Sequence, residues 1–255
     1  MPRYKLIVEY DGTPFVGWQR QANGLSVQQV VEEAIEVYAG RPVRLHCAGR
    51  TDAGVHAMHQ VVHVDLDKEM RLDAVRDATN AHMRDHPVAI VRAERVDDGF
   101  SARMHATKRY YLYRILNRRA PPTFDRTRVW HVRQTIDAQL MHEAAQRLVG
   151  HYDFTTFRAT ECQAKSPVKT LERLDVERVG DEVHVHAASR SFLHHQVRSM
   201  VGTIALAGIG RWSLDDVTAA LDARDRTRCG TVAPAHGLYF VGVDYSGKYA
   251  SSTAS

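Results

Sequence analysis

The order of strand-like and helix-like segments in the first hundred residues is the feature that most constrains the fold. Apolar patterning predicts a first strand over Tyr4–Tyr10 and a last strand over Val88–Glu94. Between them it predicts a helix, two strands and a second helix. The resulting order, β-α-β-β-α-β, is the split pattern of a ferredoxin-like unit.

The first predicted helix has a marked start and a marked end. Ser26 with Gln29 three residues later indicates a capping box, and Gly40 stands where a helix stop is expected. Strands are predicted over 43–47 and 60–66. The second helix is predicted around 72–79.

The second half of the chain repeats this order with insertions. The predicted segments are a strand over Arg109–Leu116, a helix over Ile136–Leu148 stopped by Gly150, strands over Leu171–Val179 and Glu182–Ala188, an apolar helix over His194–Ala207, a short helix that begins with Ser213 and Asp216, and a strand over Leu238–Tyr245. We therefore predict an α+β fold of two ferredoxin-like halves, residues 1–104 and 105–247. Since no flexible linker separates them, their antiparallel sheets are expected to merge into one central mixed sheet flanked by helices. Residues 248–255 are predicted to be a disordered tail.

Several classes of protein are disfavoured by the composition. The 255 residues contain no run of about 18 apolar residues and no apolar signal-peptide segment, so we expect a cytoplasmic protein without a membrane partner. Cys47, Cys162 and Cys229 are too widely spaced for a disulfide framework or a structural zinc site. The sequence also lacks H-E-x-x-H and nucleotide-binding glycine motifs, and we predict no metal and no other cofactor.

A basic stretch runs from Arg103 to Arg133. It contains nine basic residues and one acid, Asp125: Arg103, Lys108, Arg109, Arg114, Arg118, Arg119, Arg126, Arg128 and Arg133. Three tyrosines lie within it. This pattern is expected for a surface that binds a polyanion such as RNA, and the alternative is a solvated arginine face. Arg109, Arg118 and Arg119 are our candidates for contacts with the substrate.

The loop CAGRTDAGVHA, residues 47–57, combines charged side chains with small residues. Arg50, Asp52 and His56 alternate there with alanines and glycines, which let a ligand approach the backbone. A carboxylate beside a cation stays ionised and can act as a nucleophile, a general base or an electrostatic stabiliser. Alternatively, Asp52 only bonds its own loop, as in an Asx turn.

Two further residues stand out from their elements. Tyr111 lies on a strand among arginines, where an aromatic ring could stack on an unpaired base. Arg198 falls on the apolar stripe of its helix, so we predict that it is partly buried and paired with a carboxylate, Asp52 or Asp11. Phe15 and Trp18 are predicted to belong to the core.

Six motifs, in their order along the chain, resemble those of one family. YDGTPFVGWQRQ, CAGRTDAGVHA, ATKRYYLYRI, DFTTFR, FLHHQVRSMVG and GLYFVGVDY are similar to motifs of the bacterial tRNA pseudouridine synthase A family. The resemblance covers the chain from Tyr4 to about Tyr245. It implies the pseudouridine synthase fold and a cofactor-free homodimer. The expected activity is the isomerisation of uridines 38, 39 and 40 in the anticodon stem-loop of tRNA.

The resemblance also implies roles for individual residues. Asp52 matches the catalytic aspartate, and Arg50 matches an arginine linked to displacement of the target base. Tyr111 matches the tyrosine that stacks on the target uracil. Arg198 matches the arginine that pairs with the aspartate, and Leu238 matches an apolar residue that lines the pocket.

Two other functions are considered beside this one. The first is a non-catalytic RNA-binding protein with two ferredoxin-like modules, in which Asp52 only shapes its loop. The second, weaker one is a metal-dependent phosphodiesterase. The only candidate metal ligands for it are two acidic clusters, which are typical of solvated turns. They are Asp65, Asp67 and Glu69, and Asp97 and Asp98.

Overall fold

The computed structural model describes residues 1–249 and confirms the α+β class. Its strands are β1 Arg3–Tyr10, β2 His46–Cys47, β3 His56–Asp65, β4 Val88–Val96, β5 Ala106–Leu116, β6 Trp130–His131, β7 Gly150–Asp153, β8 Val168–Val179, β9 Glu182–Ser189 and β10 Leu238–Tyr245. Its helices are α1 Val27–Ala39, α2 Leu72–Ala81, α3 Ala138–Gln146, α4 Gln196–Gly208 and α5 Leu214–Ala223. Among these described residues, none of the helices has the length and apolar character needed to cross a bilayer.

The chain divides into two compact units. The first comprises Met1–Arg109 and the residues from Tyr239 onward, and the second comprises Tyr110–Leu238. The boundary between 104 and 105 stays a sequence prediction. A short 3₁₀ turn, Gly247–Tyr249, includes the first two residues of the predicted tail 248–255. Residues 250–255 lie outside the described part of the chain.

The strands follow the order β4-β1-β3-β10-β5-β9-β8-β7, with β2 paired to β3 and β6 paired to β5. Strand β5 begins in the first unit and continues into the second. Parallel pairs, such as β10 with β3, occur beside antiparallel ones. The prediction of one mixed sheet is therefore confirmed.

In the first unit, β1 is the central strand between β3 and β4, and it is antiparallel to both. The helix ends predicted for α1 are confirmed: Ser26 Oγ accepts the Gln29 amide hydrogen at 3.2 Å, and Gly40 adopts a left-handed φ of 69°. The strand predicted over 43–47 is wrong in its first part, because only His46–Cys47 joins the sheet. The amide of Leu45 instead donates to Glu32 Oε1 at 2.9 Å, which removes it from a strand ladder.

In the second unit, β8 and β9 form an antiparallel hairpin, and β7 pairs with β8. Gly150 was predicted to follow a helix end, but it opens β7, a strand that the sequence did not reveal. The predicted start of α5 at Ser213 and Asp216 is confirmed, and the two residues form a capping box. Helix α4 begins two residues later than predicted because His195 has a left-handed φ of 63°.

Candidate active site

The loop between β2 and β3 is fixed at its start by three hydrogen-bonding partners. The amide of Ala48 donates to the Val61 carbonyl at 2.8 Å, which extends the pairing with β3. Gln60 Nε2 donates to the Gly49 carbonyl at 2.6 Å, and the Gly49 amide donates to Gln60 Oε1 at 3.4 Å. Arg109 donates through Nε and Nη2 to the Ala48 carbonyl at 3.0 and 2.8 Å. The backbone immediately before Arg50 therefore has little freedom.

The middle of the loop is held by the segment after β1. Trp18 donates its amide to the Thr51 carbonyl at 3.0 Å, and Gly17 forms an isolated antiparallel bridge with Asp52. Gly17 has a φ of 113°, and a Cβ there would lie 2.7 Å from the Thr51 carbonyl oxygen. Only glycine allows this close approach. The Thr51 hydroxyl also lies 2.7 Å from the Tyr10 hydroxyl.

Trp18 and Phe15 belong to the segment that contacts this loop, and they are 1% and 3% exposed. Their prediction as core residues is confirmed. Burial also raises the pKa of Tyr10 well above its ordinary value, so its phenol stays neutral and the bond to Thr51 joins two uncharged hydroxyls. The segment that holds the loop is therefore itself anchored by buried aromatic side chains.

His56 ends the loop as a structural anchor. It is 2% exposed, and its ring stacks on Tyr239 with centroids 4.8 Å apart. Its Nδ1 accepts the Gly12 amide hydrogen at 3.0 Å and lies 3.2 Å from Asp11 Oδ1. Because Nδ1 is an acceptor here, a neutral ring carries its proton on Nε2. These contacts give His56 a structural role, in packing against Tyr239 and in holding the turn at Asp11 and Gly12.

The charged residues of the loop reach the surface while their backbone is held. Arg50 is exposed and Asp52 is partly exposed, whereas Thr51 between them is buried. The Asp52 carbonyl accepts the Val55 amide hydrogen at 3.2 Å, which closes a turn. Burial raises the pKa of the Cys47 thiol to about 11, so this thiol is protonated at neutral pH and unsuited to be a nucleophile. The loop is built to present a carboxylate from a rigid backbone.

In the second unit, Tyr111 and Tyr113 differ in their surroundings. Tyr111 is partly exposed and meets Phe192 edge to face, with ring centroids 5.2 Å apart and an interplanar angle of 88°. Tyr113 is fully buried, and its hydroxyl donates to the Pro234 carbonyl at 2.7 Å. Of the two, only Tyr111 offers part of its ring to a ligand.

Arg198 lies in the first turn of α4 and is partly buried, as predicted. Its Nε donates to the Ala233 carbonyl at 2.9 Å, and its own carbonyl accepts the Ala233 amide hydrogen at 3.1 Å. This double contact fixes the segment before β10. Leu238, the first residue of β10, is 5% exposed.

The basic stretch contains both paired and exposed arginines. Arg114 is bound by Glu182 at 2.6 Å and by Asp125 at 3.3 Å. Arg118 lies on the surface, 3.2 Å from Asp181, and Arg119 is also exposed. Phe124, which belongs to none of the six sequence motifs, is 97% exposed in the same loop.

The candidate residues fall into both units. Asp52, Arg50 and Arg109 belong to the first unit, and the second contains the remaining candidates, Tyr111, Arg118, Arg119, Arg198 and Leu238. The pairing of Asp52 with Arg198 stays a prediction. Gln60 is a functional candidate that the sequence does not reveal, because an isolated glutamine in a strand gives no signal until its partner Gly49 is known.

A family of known proteins matches most of the chain. A family model described as tRNA pseudouridine synthase matches residues 6–103 and 144–246. Proteins named tRNA pseudouridine synthase A from Methylobacterium sp. (strain 4-46) and Beijerinckia indica are 64% and 62% identical to the chain over 245 residues, which is 96% of it and 98% and 94% of those proteins. A solved structure of a Cbf5-Nop10-Gar1 complex is 13% identical with a TM-score of 0.35; the match covers 79% of this chain and spans 44% of the length of that chain.

Proposed function

Because the chain belongs to the tRNA pseudouridine synthase family, and is thus an isomerase that makes pseudouridine in tRNA, we propose that Asp52 is its catalytic carboxylate. We further propose that its targets are uridines 38, 39 and 40 of the anticodon stem-loop. The observation that supports this role is the loop itself. Its backbone is held at Ala48, Gly49 and Thr51, while Asp52 remains partly exposed.

The reaction explains why a fixed carboxylate is useful. The bond between uracil N1 and ribose C1′ breaks, and a bond between C5 and C1′ forms. C5 loses a proton and N1 gains one, so the composition of the nucleoside is unchanged. The detached uracil has to turn while it stays in place. Asp52 would attack C6 of the base or C1′ of the ribose, or it would remove a ribose proton to give a glycal. A rigid loop keeps the carboxylate aligned through these steps.

The other candidate residues receive supporting roles in this proposal. Arg50, exposed beside Asp52, would help to displace the target base from the helix stack, because a paired base is out of reach of the enzyme. Tyr111 would stack on the uracil and could carry the C5 proton. Arg198 would keep the Asp52 carboxylate ionised, and Leu238 would line the pocket with apolar surface.

The basic stretch would bind the phosphates of tRNA. Arg118 and Arg119 are exposed and suited to this role. Phe124 adds an uncovered aromatic ring to their loop, which could stack on a base. Arg109 contributes in another way, because its guanidinium donates to the Ala48 carbonyl and so positions the catalytic loop. We also propose that the enzyme is a cytoplasmic homodimer, as the family resemblance implies.

One assay tests the proposed function against its alternatives. Tritium placed at uridine C5 of a tRNA is released when the base is reattached through C5. An isomerase releases the label with or without EDTA, a phosphodiesterase cuts the strand only with a metal, and an RNA-binding protein does neither. We expect release in both conditions.

Asp52→Asn tests the role of the carboxylate in the same assay. We expect release to fall by at least about 10²–10⁴-fold, the range for loss of an acid–base group, with tRNA affinity nearly unchanged. Asp67→Asn is the matched control, because it removes an exposed carboxylate that binds Arg41 at 2.6 Å and does not belong to the loop. Loss of affinity together with activity in Asp52→Asn would indicate a structural role instead.

A further inference from the structure

The hairpin of β8 and β9 carries two histidines and a glutamate on one face. In its antiparallel register, Glu177 lies opposite His184, and Asp175 lies opposite His186. Residues directly opposite each other, and residues two apart along a strand, point to the same face of a sheet. Val185, between the histidines, is 1% exposed and faces the other way. Glu177, His184 and His186 therefore share the more polar face.

The donor atoms of these three residues lie close together. One carboxylate oxygen of Glu177 and one ring nitrogen from each histidine are all within 4.8 Å of one another. His186 Nε2 is already 2.9 Å from Glu177 Oε1. The two imidazole rings stand edge to face, with centroids 6.3 Å apart and an interplanar angle of 69°. Three side chains thus converge on one small volume.

We propose that Glu177, His184 and His186 form a binding site for a divalent transition-metal ion of the Zn²⁺ and Ni²⁺ type. Two imidazoles and one carboxylate are a donor set that such ions prefer, whereas Mg²⁺ and Ca²⁺ favour oxygen donors throughout. Bonds of about 2.0–2.2 Å place neighbouring donor atoms roughly 3–3.5 Å apart. Since no two donor atoms are more than 4.8 Å apart, the side chains need to close by at most roughly 1–2 Å. Glu177, with its side chain 59% exposed, has room to do so.

A second layer of contacts prepares one of the ligands. His184 Nε2 lies 2.8 Å from Glu182 Oε2. Arg114 holds this carboxylate through two hydrogen bonds, from Nε at 2.9 Å and from Nη2 at 2.6 Å. Metal-binding histidines commonly bond a carboxylate through the nitrogen that does not ligate the ion. In this proposal Nδ1 of His184 binds the ion, and Glu182 orients the ring through Nε2.

A bound ion would join the two strands of the hairpin. Its ligands come from β8 and β9 and belong to the second unit, whereas Asp52 belongs to the first. An ion that binds only the folded protein stabilises it by mass action. The site would thus raise the thermal stability of the protein without supplying any step of the isomerisation.

Metal titration of tag-free, chelator-treated protein tests this proposal directly. Zn²⁺ is added in competition with a chromophoric chelator, and Co²⁺ serves as a spectroscopic probe through its visible absorption. We expect one equivalent of metal per chain that is lost in His184→Gln/His186→Gln. Glu177→Gln should weaken metal binding by about tenfold or more. Loss of a residue that only orients a ligand already has an effect of this size.

His151→Gln is the control, because it removes an exposed histidine of β7, 2.8 Å from Thr170 Oγ1, while the cluster stays intact. This variant should still bind one equivalent of metal per chain. Circular dichroism of each variant verifies folding, and Glu177→Gln keeps the test valid if the double variant is unstable. Equal binding by the wild type and the double variant, or no metal bound by the wild type, would overturn the proposal.

Discussion

Gln60 and Gly49 exchange two hydrogen bonds, one in each direction, between a strand side chain and the backbone of the loop that carries Asp52. Gln60 is completely buried. Its amide is therefore shielded from water, and loss of either bond leaves a buried polar group without its partner. The arrangement ties the position of Asp52, three residues along, to the register of β3.

Gln60→Glu should lower the rate of pseudouridine formation without a matching loss of tRNA affinity. A carboxylate keeps the size of the side chain but cannot donate to the Gly49 carbonyl, and it repels that oxygen. We expect kcat in the tritium-release assay to fall about 10-fold or more, because the carboxylate of Asp52 loses alignment. The value of KM should change little.

The control for this change is Gln28→Ala. It also removes a buried glutamine of the first unit, whose side chain bonds Glu32 at 2.7 Å, the Leu45 carbonyl at 3.4 Å and the Arg20 amide at 3.2 Å, all outside residues 47–57. Equal losses of Tm in the two variants, with a low kcat only in Gln60→Glu, would identify Gln60 as a positioning residue. A normal kcat in Gln60→Glu would contradict the prediction.

Tyr111→Phe separates stacking from proton transfer. The variant keeps the ring and its edge-to-face contact with Phe192, so tRNA affinity should stay within about twofold. If the hydroxyl carries the C5 proton, the rate of tritium release should fall about 10²-fold or more. Full activity would remove the proton role and leave only stacking. Tyr152→Phe, at an exposed tyrosine of β7, is the matched control.

Replacement of Arg118 and Arg119 by glutamine should weaken tRNA binding and reduce its dependence on salt. Each phosphate contact contributes roughly 0.7–0.9 to the slope of log K against log salt concentration, so the slope should fall by about one to two. Arg173→Gln, which removes an exposed arginine bound to Asp175 at 2.5 Å, serves as the control. An unchanged slope in the double variant would show that these arginines do not bind phosphate.

The stability of the protein should decrease as pH falls from about 6.5 to about 4, partly through His63. Burial, followed by repulsion from Arg3, lowers the pKa of His63 from 6.5 to about 4. In this window the unfolded chain binds a proton at His63 that the folded chain does not. The free energy of unfolding therefore decreases as the pH decreases. One such group contributes a slope of at most about 1.4 kcal/mol per pH unit.

His63→Asn tests this contribution. Asparagine does not titrate, yet its side-chain oxygen can accept the Ala102 amide hydrogen that His63 Nδ1 now accepts at 3.1 Å. Urea unfolding at several pH values between 4 and 7 should give a shallower decline than in the wild type. His151→Asn, at an exposed histidine, should leave the decline as it is. Parallel curves for the wild type and His63→Asn would refute the prediction.

The sequence was sufficient for much of the fold because local signals agreed with the tertiary structure. Ser26, Gly40 and the Ser213–Asp216 pair mark helix ends through contacts made within a few residues. The sequence was insufficient where a distant partner decided the conformation. Leu45 has an apolar strand pattern, but its amide bonds Glu32 on another element.

The same distinction applies to the sites. Asp52 was found because glycines and an arginine surround it in the sequence. Gln60 was missed because its role depends on the pairing of two strands. The Glu177–His184–His186 cluster was also missed, since its residues become neighbours only through the register of the β8–β9 hairpin. Motif spacing along a chain does not reveal ligands that are brought together across strands.

The return of β10 to the first unit has a consequence for biosynthesis. Tyr239 and Phe240 pair with the beginning of β3, and the Phe240 ring packs closely against Gly49. A ribosome makes these residues only after the whole of the second unit. During synthesis, the edge of β3 that β10 later covers is therefore open, and an open strand edge is prone to association with other chains. Translation that stops before residue 239 would release a product in which this edge is never covered.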